Sequence, residues 1–155
     1  MSRFTVRRAQ PEDADALARL RWRFKQEDEP VPVGEEGPFV QECSEWTRAR
    51  LAGAWLAWVA EMDGEVCGHV FVGRVEKVPK PGPGADALGY LTNFYVCPEY
   101  RNQGIGRALL DEAVRHGRQS PLDTLIVWPS ERSAPLYVRA GFSTPEEVLE
   151  LPIEL

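Results

Sequence analysis

The chain has no long apolar run. Its longest stretches of that kind, such as Ala52–Ala60, are too short to cross a bilayer. The start, Met1-Ser2-Arg3-Phe4-Thr5, lacks the apolar core of a signal peptide. A cytoplasmic protein with no membrane partner is expected. Cysteine is scarce: the three thiols, Cys43, Cys67 and Cys97, are odd in number and match neither a disulfide framework nor zinc-ligand spacing. They read as reduced thiols in a reducing compartment, with no metal site. Basic excess is also missing. A formal net charge of −6 argues against a nonspecific nucleic-acid footprint. No internal repeat is visible.

What remains is ordinary globular material. The 155 residues suit a single domain, residues 1–155. Hydrophobic residues at 43% and aromatics at 10% suffice for a core.

Phe4–Arg8 alternates like a strand. Pro11 suits a first helical turn, with Glu12, Asp13 and Asp15 near the positive end of the helix. Ala14, Leu17, Leu20 and Phe24 extend the apolar face, which predicts a helix over Pro11–Gln26. Glu27–Glu36 reads as an acidic loop, and a second helix is expected from Pro38. Trp55–Met62 and Glu65–Val78 read as strands joined by Asp63-Gly64, a hairpin turn whose residues tolerate positive φ. Pro79–Ala87 is a loop, and Leu88–Val96 is apolar on both faces like a central strand. Gly104–Gly117 is a helix, Thr124–Trp128 a strand, Ser133–Ala140 a short helix and Phe142–Leu151 strand material. The order β-α-α-β-β-β-α-β-α-β predicts an α/β fold. Its first half is mostly antiparallel, and a parallel crossover lies over residues 88–128.

The central strand runs through Cys97-Pro98-Glu99-Tyr100 into Arg101-Asn102-Gln103-Gly104-Ile105-Gly106-Arg107 and then a helix. The first helical N–H groups lack intrahelical partners and the dipole adds positive charge, so an anion is favoured there. Gly104 and Gly106 remove β-carbons from the approach, while Arg101 and Arg107 add charge. A dinucleotide fingerprint would need a third glycine where Leu109 stands. A Walker A loop would need Gly-Lys-Ser/Thr, which is absent. Taken alone, the turn suits a diphosphate or serves backbone geometry.

Val96-Cys97-Pro98-Glu99-Tyr100-Arg101-Asn102-Gln103-Gly104-Ile105-Gly106 resembles the signature segment of the GNAT superfamily of N-acetyltransferases, Val-x-Pro-x-x-Arg-x-x-Gly-x-Gly/Ala. Leu136-Tyr137-Val138-Arg139-Ala140-Gly141-Phe142 is similar to that family's second landmark. The resemblance implies a mixed, largely antiparallel central sheet flanked by helices, with parallel strands splayed at the cofactor site. It implies acetyl-CoA as co-substrate, without a metal, and a small-molecule or peptide amine as acceptor. Residues Asn102, Gln103, Gly104, Ile105, Gly106 and Arg107 would cradle the pyrophosphate by their amides. Phe94, Tyr95 and Val96 would pair their backbone with the pantetheine arm. An N–H near Phe94 or Tyr95 would serve as oxyanion donor. Tyr137 matches the proton donor to the leaving thiolate. Ser130 stands where many members carry a pantetheine-contacting Asn, and it equally suits a helix cap.

The family's strand glutamate is replaced by Leu125, so no general base carries over. Glu27, Glu61 and Glu131 qualify by chemistry alone, and His69 and His116 read as structural. The acceptor region is expected near Trp22, Phe24, Trp46, Asn93 and Trp128, with Glu27, Asp28, Glu29, Glu35 and Glu36 as an acidic rim or a solvated loop. The alternative to transfer is a non-catalytic acyl-CoA sensor. A homodimer is left open.

Overall fold

The computed structural model describes residues 3–153; Met1 and Ser2, part of the segment read above for a leader, and residues 154–155 lie outside the described residues. Strands β1 (Phe4–Arg8), β2 (Trp55–Met62), β3 (Glu65–Glu76), β4 (Ala87–Val96) and β5 (Leu125–Ile126) form one sheet in sequence order. All neighbours are antiparallel except β4 and β5, which are parallel. The expected mixed α/β sheet with a parallel crossover is what the chain adopts.

Helices cover both faces of this sheet. A 3-10 turn at Pro11–Asp13 leads into α1 (Ala14–Gln26), and α2 (Glu36–Leu51) follows. Helix α2 starts two residues before Pro38. Proline fits there because first-turn N–H groups have no intrahelical partner to lose. Helix α3 (Ile105–Gln119) covers the opposite face, burying Ile105, Leu109, Leu110 and Ala113 against Trp58, Ala60, Val70, Val72 and Leu91. Each leucine removed from water stabilises the fold by roughly 1.5–3 kcal/mol. The intervening strand residues Ala57, Val59 and Phe71 face α1 and pack with Leu17. This is the two-residue alternation expected of a sheet covered on both sides.

Two glycines shape the β4–β5 junction. A Cβ on Gly89 would stand 2.6 Å from Leu125 Cδ2, and one on Gly117 would stand 3.0 Å from Leu125 Cδ1. Leu125 therefore occupies a socket between β4 and α3.

The expected terminal strand over Phe142–Leu151 does not form. After the short helix α4 (Ala134–Arg139), the chain to Ile153 has no regular structure. Val148, Leu149, Leu151 and Ile153 are 63%, 95%, 80% and 77% exposed. Pro145 and Pro152 withhold N–H donors, and the two-residue β5 offers little edge to pair with. Apolar alternation marks a strand only where a partner and a buried face exist.

Candidate active site

Strand β4 carries the site because its two ends are partnered differently. Gly89 and Tyr90 pair with Leu125 and Ile126 of β5. Beyond that point β5 has ended; Leu91, Thr92, Tyr95 and Val96 keep ladder partners only on β3, and Asn93 and Phe94 have none. The two parallel strands thus part, as expected for a slot between them.

The same stretch of β4 bulges. Phe71 pairs with Thr92 and His69 with Tyr95, so β4 spends one residue more than β3. Asn93, at φ 53°, lies within that interval. His69 holds the bulge from below. Its ring is fully buried, and Nδ1 lies 2.7 Å from the Asn93 carbonyl oxygen. A carbonyl only accepts, so Nδ1 carries the proton and Nε2 is left as an unprotonated atom without a partner. Burial lowers the His69 pKa to about 4. The ring is therefore neutral at physiological pH, in the tautomer that fixes the bulge.

Helix α3 begins where β4 points. Asn102 and Gly104 both take the left-handed region, at φ 65° and φ 88°. Gly104 is the N-cap and supplies no side-chain acceptor, so no side chain caps the first-turn amides of Ile105, Gly106 and Arg107. The next amide, Ala108, bonds Gly104 O at 3.1 Å. No acidic residue occupies the first turn, and His116 and Arg118 lie in the last, in line with the dipole. Space beside Gly104 is open. A Cβ on Gly106 would instead meet Phe94 Cζ at 3.4 Å and Leu136 Cδ2 at 3.5 Å. Gly106 thus faces protein, and Gly104 and the exposed Asn102 and Gln103 face solvent.

The arginines of the turn are engaged. Arg101 donates from Nε to the Val96 carbonyl at 2.9 Å and from Nη2 to both Glu27 oxygens at 3.0 Å. Its guanidinium also lies 5.6 Å from the Tyr95 ring. It ties the end of β4 to the end of α1. Arg107 Nε pairs with Asp111 at 2.8 Å along α3.

Tyr137 of α4 lies beside the open part of β4. Its ring is buried, 5.7 Å from Phe94 and 5.4 Å from Phe142 by centroid. Burial pushes its pKa up to about 12, so the phenol stays protonated in neutral solution. The Tyr95 ring points the other way, stacked 4.8 Å from Phe24 under α1. Only the Tyr95 backbone is available to the slot. Ser130 and Ser133 bond reciprocally, each backbone N–H donating to the other's hydroxyl at 3.1–3.2 Å. This pair closes the turn into α4.

On the opposite face, α1, α2, β3 and β4 enclose a cleft of about 410 Å³. Arg21, Trp46, Trp55, Phe71, Tyr90 and Asn93 are among its walls. Of the expected acceptor residues, Trp46 and Asn93 line it. Trp22 packs on Phe39 at 5.7 Å and borders a more open cleft outside α1. Trp128 is exposed against Tyr90. Two residues of the acidic rim are paired, Glu27 with Arg101 and Arg132, and Asp28 with Arg132; Glu29, Glu35 and Glu36 form no ion pair among the described residues. Glu61 pairs with Arg7, away from the cleft. None of Glu27, Glu61 and Glu131 lines the cleft; Glu42 does. Sequence reasoning passed over Arg21 and Glu42. The one local signal was the polar Thr92-Asn93 pair inside an otherwise apolar central strand.

Among the described residues no helix is long and apolar enough to cross a membrane, and no group of three His, Cys, Asp or Glu is placed to hold a metal.

Comparison with known proteins gives a consistent picture. The family model for the acetyltransferase (GNAT) family matches residues 14–142. A glucosamine 6-phosphate N-acetyltransferase of Trypanosoma brucei brucei is 32% identical over 75 residues, 48% of this chain and 51% of that protein. An aminoglycoside N(6')-acetyltransferase type 1 of Stenotrophomonas maltophilia is 32% identical over 107 residues, 68% of this chain and 62% of that one. The matches thus span half to somewhat under two thirds of these relatives. Among solved structures, a GCN5-related N-acetyltransferase from Ralstonia eutropha JMP134 superposes with TM-score 0.78 at 28% identity, covering 97% of this chain and 98% of that one. A predicted acetyltransferase with acetyl-CoA from Clostridium acetobutylicum shares the fold, with TM-score 0.79 at 23% identity and 96% of each chain covered.

Proposed function

We propose, from the premise that this chain belongs to the GNAT acetyltransferase family, that it moves an acetyl group from acetyl-CoA directly to a primary amine of a small molecule or peptide. The observation that carries this reading is the joint placement of an uncapped helix N-terminus, a strand with open backbone, and a buried, protonated phenol.

The residues fit the co-substrate. The amides of Asn102, Gln103, Gly104, Ile105, Gly106 and Arg107 would hold the pyrophosphate, and the open β-carbon position at Gly104 leaves room for it. The backbone of Phe94, Tyr95 and Val96 would line the pantetheine arm. Arg101 serves here through its backbone, its side chain anchoring Glu27 and Val96. Ser130 would reach the arm by the hydroxyl it also lends to Ser133. Acetyl-CoA supplies an activated thioester carbonyl.

The chain's own part is to orient and to move protons. Amides at the bulge, held in place by His69, would face developing negative charge on the carbonyl oxygen. Tyr137 would donate its phenolic proton to the departing sulfur. Its raised pKa keeps that proton available across the working range. The incoming amine would lose its proton to water or arrive neutral. The names of the two curated relatives support an amine acceptor, and the three free thiols support a reducing, cytoplasmic setting.

Two measurements test the reading. Calorimetry should show saturable binding of coenzyme A, with ADP binding more weakly; absence of both would remove the co-substrate assignment. A panel of amines with acetyl-CoA should then release free thiol. Binding without release from any amine would favour an acyl-CoA sensor.

A further inference from the structure

The cleft between α1, α2 and β4 holds a cation that the proposed transfer does not use. Arg21 projects from α1, half-buried, and Nη1 donates to Asn93 Oδ1 at 3.0 Å. That contact occupies one of the five N–H donors of a guanidinium. Among the described residues no carboxylate pairs with it. Arg7, Arg23, Arg48, Arg101, Arg107, Arg115 and Arg132 each have such a partner. Burial lowers the Arg21 pKa from its ordinary value, the sign of a charge partly withdrawn from water. A guanidinium nevertheless stays charged in proteins.

Its surroundings compensate only in part, through a cation–π contact. The Phe24 ring lies 5.8 Å from the guanidinium carbon, and the cleft walls nearby include Trp46, Trp55 and Phe71. Glu42, the carboxylate that reaches the cleft, is exposed on α2 and forms no ion pair with Arg21. A partly desolvated cation without a counter-charge is costly unless an anionic ligand pairs with it. The Asn93 contact also sets this cation beside the β4 bulge, where the proposed function puts the reacting carbonyl.

We propose that Arg21 receives an oxyanion of the acceptor, so that the acceptor is an amine that also carries a carboxylate or phosphate. This rests on the transferase reading above. Arg suits both groups, because its paired N–H bonds match two oxygens of either. An amino acid with an uncharged side chain has no net charge at neutral pH. It would not be repelled by a protein of formal net charge −6. The aromatic walls suit an apolar body beside the charged groups.

The test uses matched acceptors. Amino acids are compared with their decarboxylated amines, and glucosamine 6-phosphate with glucosamine, by thiol release from acetyl-CoA. At least one oxyanion-bearing member should exceed its partner about tenfold or more in kcat/KM, the least expected of one charge-assisted contact. Which pair responds separates carboxylate from phosphate. Arg21→Gln should erase that preference through KM, and Arg21→Lys should restore part of it. Two results would overturn the proposal. In one, the acceptors turned over by the wild-type protein lack an oxyanion. In the other, Arg21→Gln lowers both members of a pair by one common factor, which would make Arg21 only a support for Asn93. Calorimetry keeps the readings apart. If coenzyme A fails to bind, the transferase reading falls; titration of the same acceptors into wild-type and Arg21→Gln protein then decides the oxyanion site, and no difference between the two proteins would end it.

Discussion

On one side of β4 the groups free to bind are backbone amides; on the other they are side chains. The donor side consists of the parted strand end, two left-handed residues and the uncapped start of α3. Its nearby side chains are turned to anchoring work, as with Arg101 on Glu27 and Ser130 on Ser133. The acceptor side is walled by Arg21, Trp46, Trp55, Phe71, Tyr90 and Asn93. A backbone site is hard to change without breaking the fold. A side-chain site can be rewritten residue by residue on the same sheet. Under the proposed function, this difference would let one architecture keep its donor while its acceptor changes.

The largest test of this contrast concerns Tyr137, the side chain proposed to act on the backbone-built side. Tyr137→Phe keeps the ring packing and removes the proton. We expect kcat to fall on the order of 10²–10⁴-fold with KM for acetyl-CoA little changed. Full turnover with a good amine would return the donor side to backbone alone.

His69, which supports both sides through the bulge, gives the next effect. Its folded pKa of about 4 lies below the ordinary 6.5, so the native state resists protonation and the unfolded state does not. The stability this provides is present above pH 6.5 and is lost as pH falls towards 4. The loss is on the order of 3 kcal/mol. His116 is shifted in the same direction by burial, so the comparison must be made against His69→Gln. Urea unfolding at several pH values should show a flatter profile for the variant. Parallel profiles would mean that the ring is not held neutral.

Smaller again is the contrast between the two glycines. Gly104→Ala forces an L-residue into φ 88° and should cost about 1–2 kcal/mol, with weaker coenzyme A binding. Gly106→Ala meets only ordinary contacts and should be tolerated in both respects. Equal effects would locate the cradle elsewhere. Smallest is Ser130→Ala, which breaks the Ser130–Ser133 pair and should cost about 1 kcal/mol in thermal unfolding. A concurrent rise in KM for acetyl-CoA would show that the hydroxyl also meets the pantetheine arm.

The same contrast decides what the sequence could disclose. Backbone geometry leaves compact marks: Pro98 ends a strand, Gly104 permits a left-handed cap, and Ile105, Leu109 and Ala113 face one core. All fall within one short stretch, so the strand–turn–helix geometry was legible. The cleft on the other face was legible in part: Trp46 and Asn93 were expected together and line it, but Arg21 was missed, because it meets Asn93 across 72 residues of chain and is not distinctive alone. Carboxylates chosen by chemistry proved to be partners of Arg7, Arg101 and Arg132 or to lie outside the cleft, since charge type says nothing of location. The bulge was hidden too, because a register shift belongs to two strands at once. The terminal strand failed for the converse reason: its pattern was present and its partner was not.

The Leu125 socket has a practical consequence. A strand of only two residues works as a rivet: it pins the sheet at Gly89, and the chain beyond it is held by side-chain packing, as at Tyr137 and Phe142, rather than by ladder bonds. The span from Val127 to Ser133 carries no ladder pairing, so its own bonds, the Ser130–Ser133 pair and Arg132 on Glu27, set its path and not the register of the sheet. The mouth of the slot is then adjusted by moving one pin. Under the proposed function, Leu125 and its two glycine walls would be the place to vary the spacing of β4 and β5 while leaving the helix turn untouched.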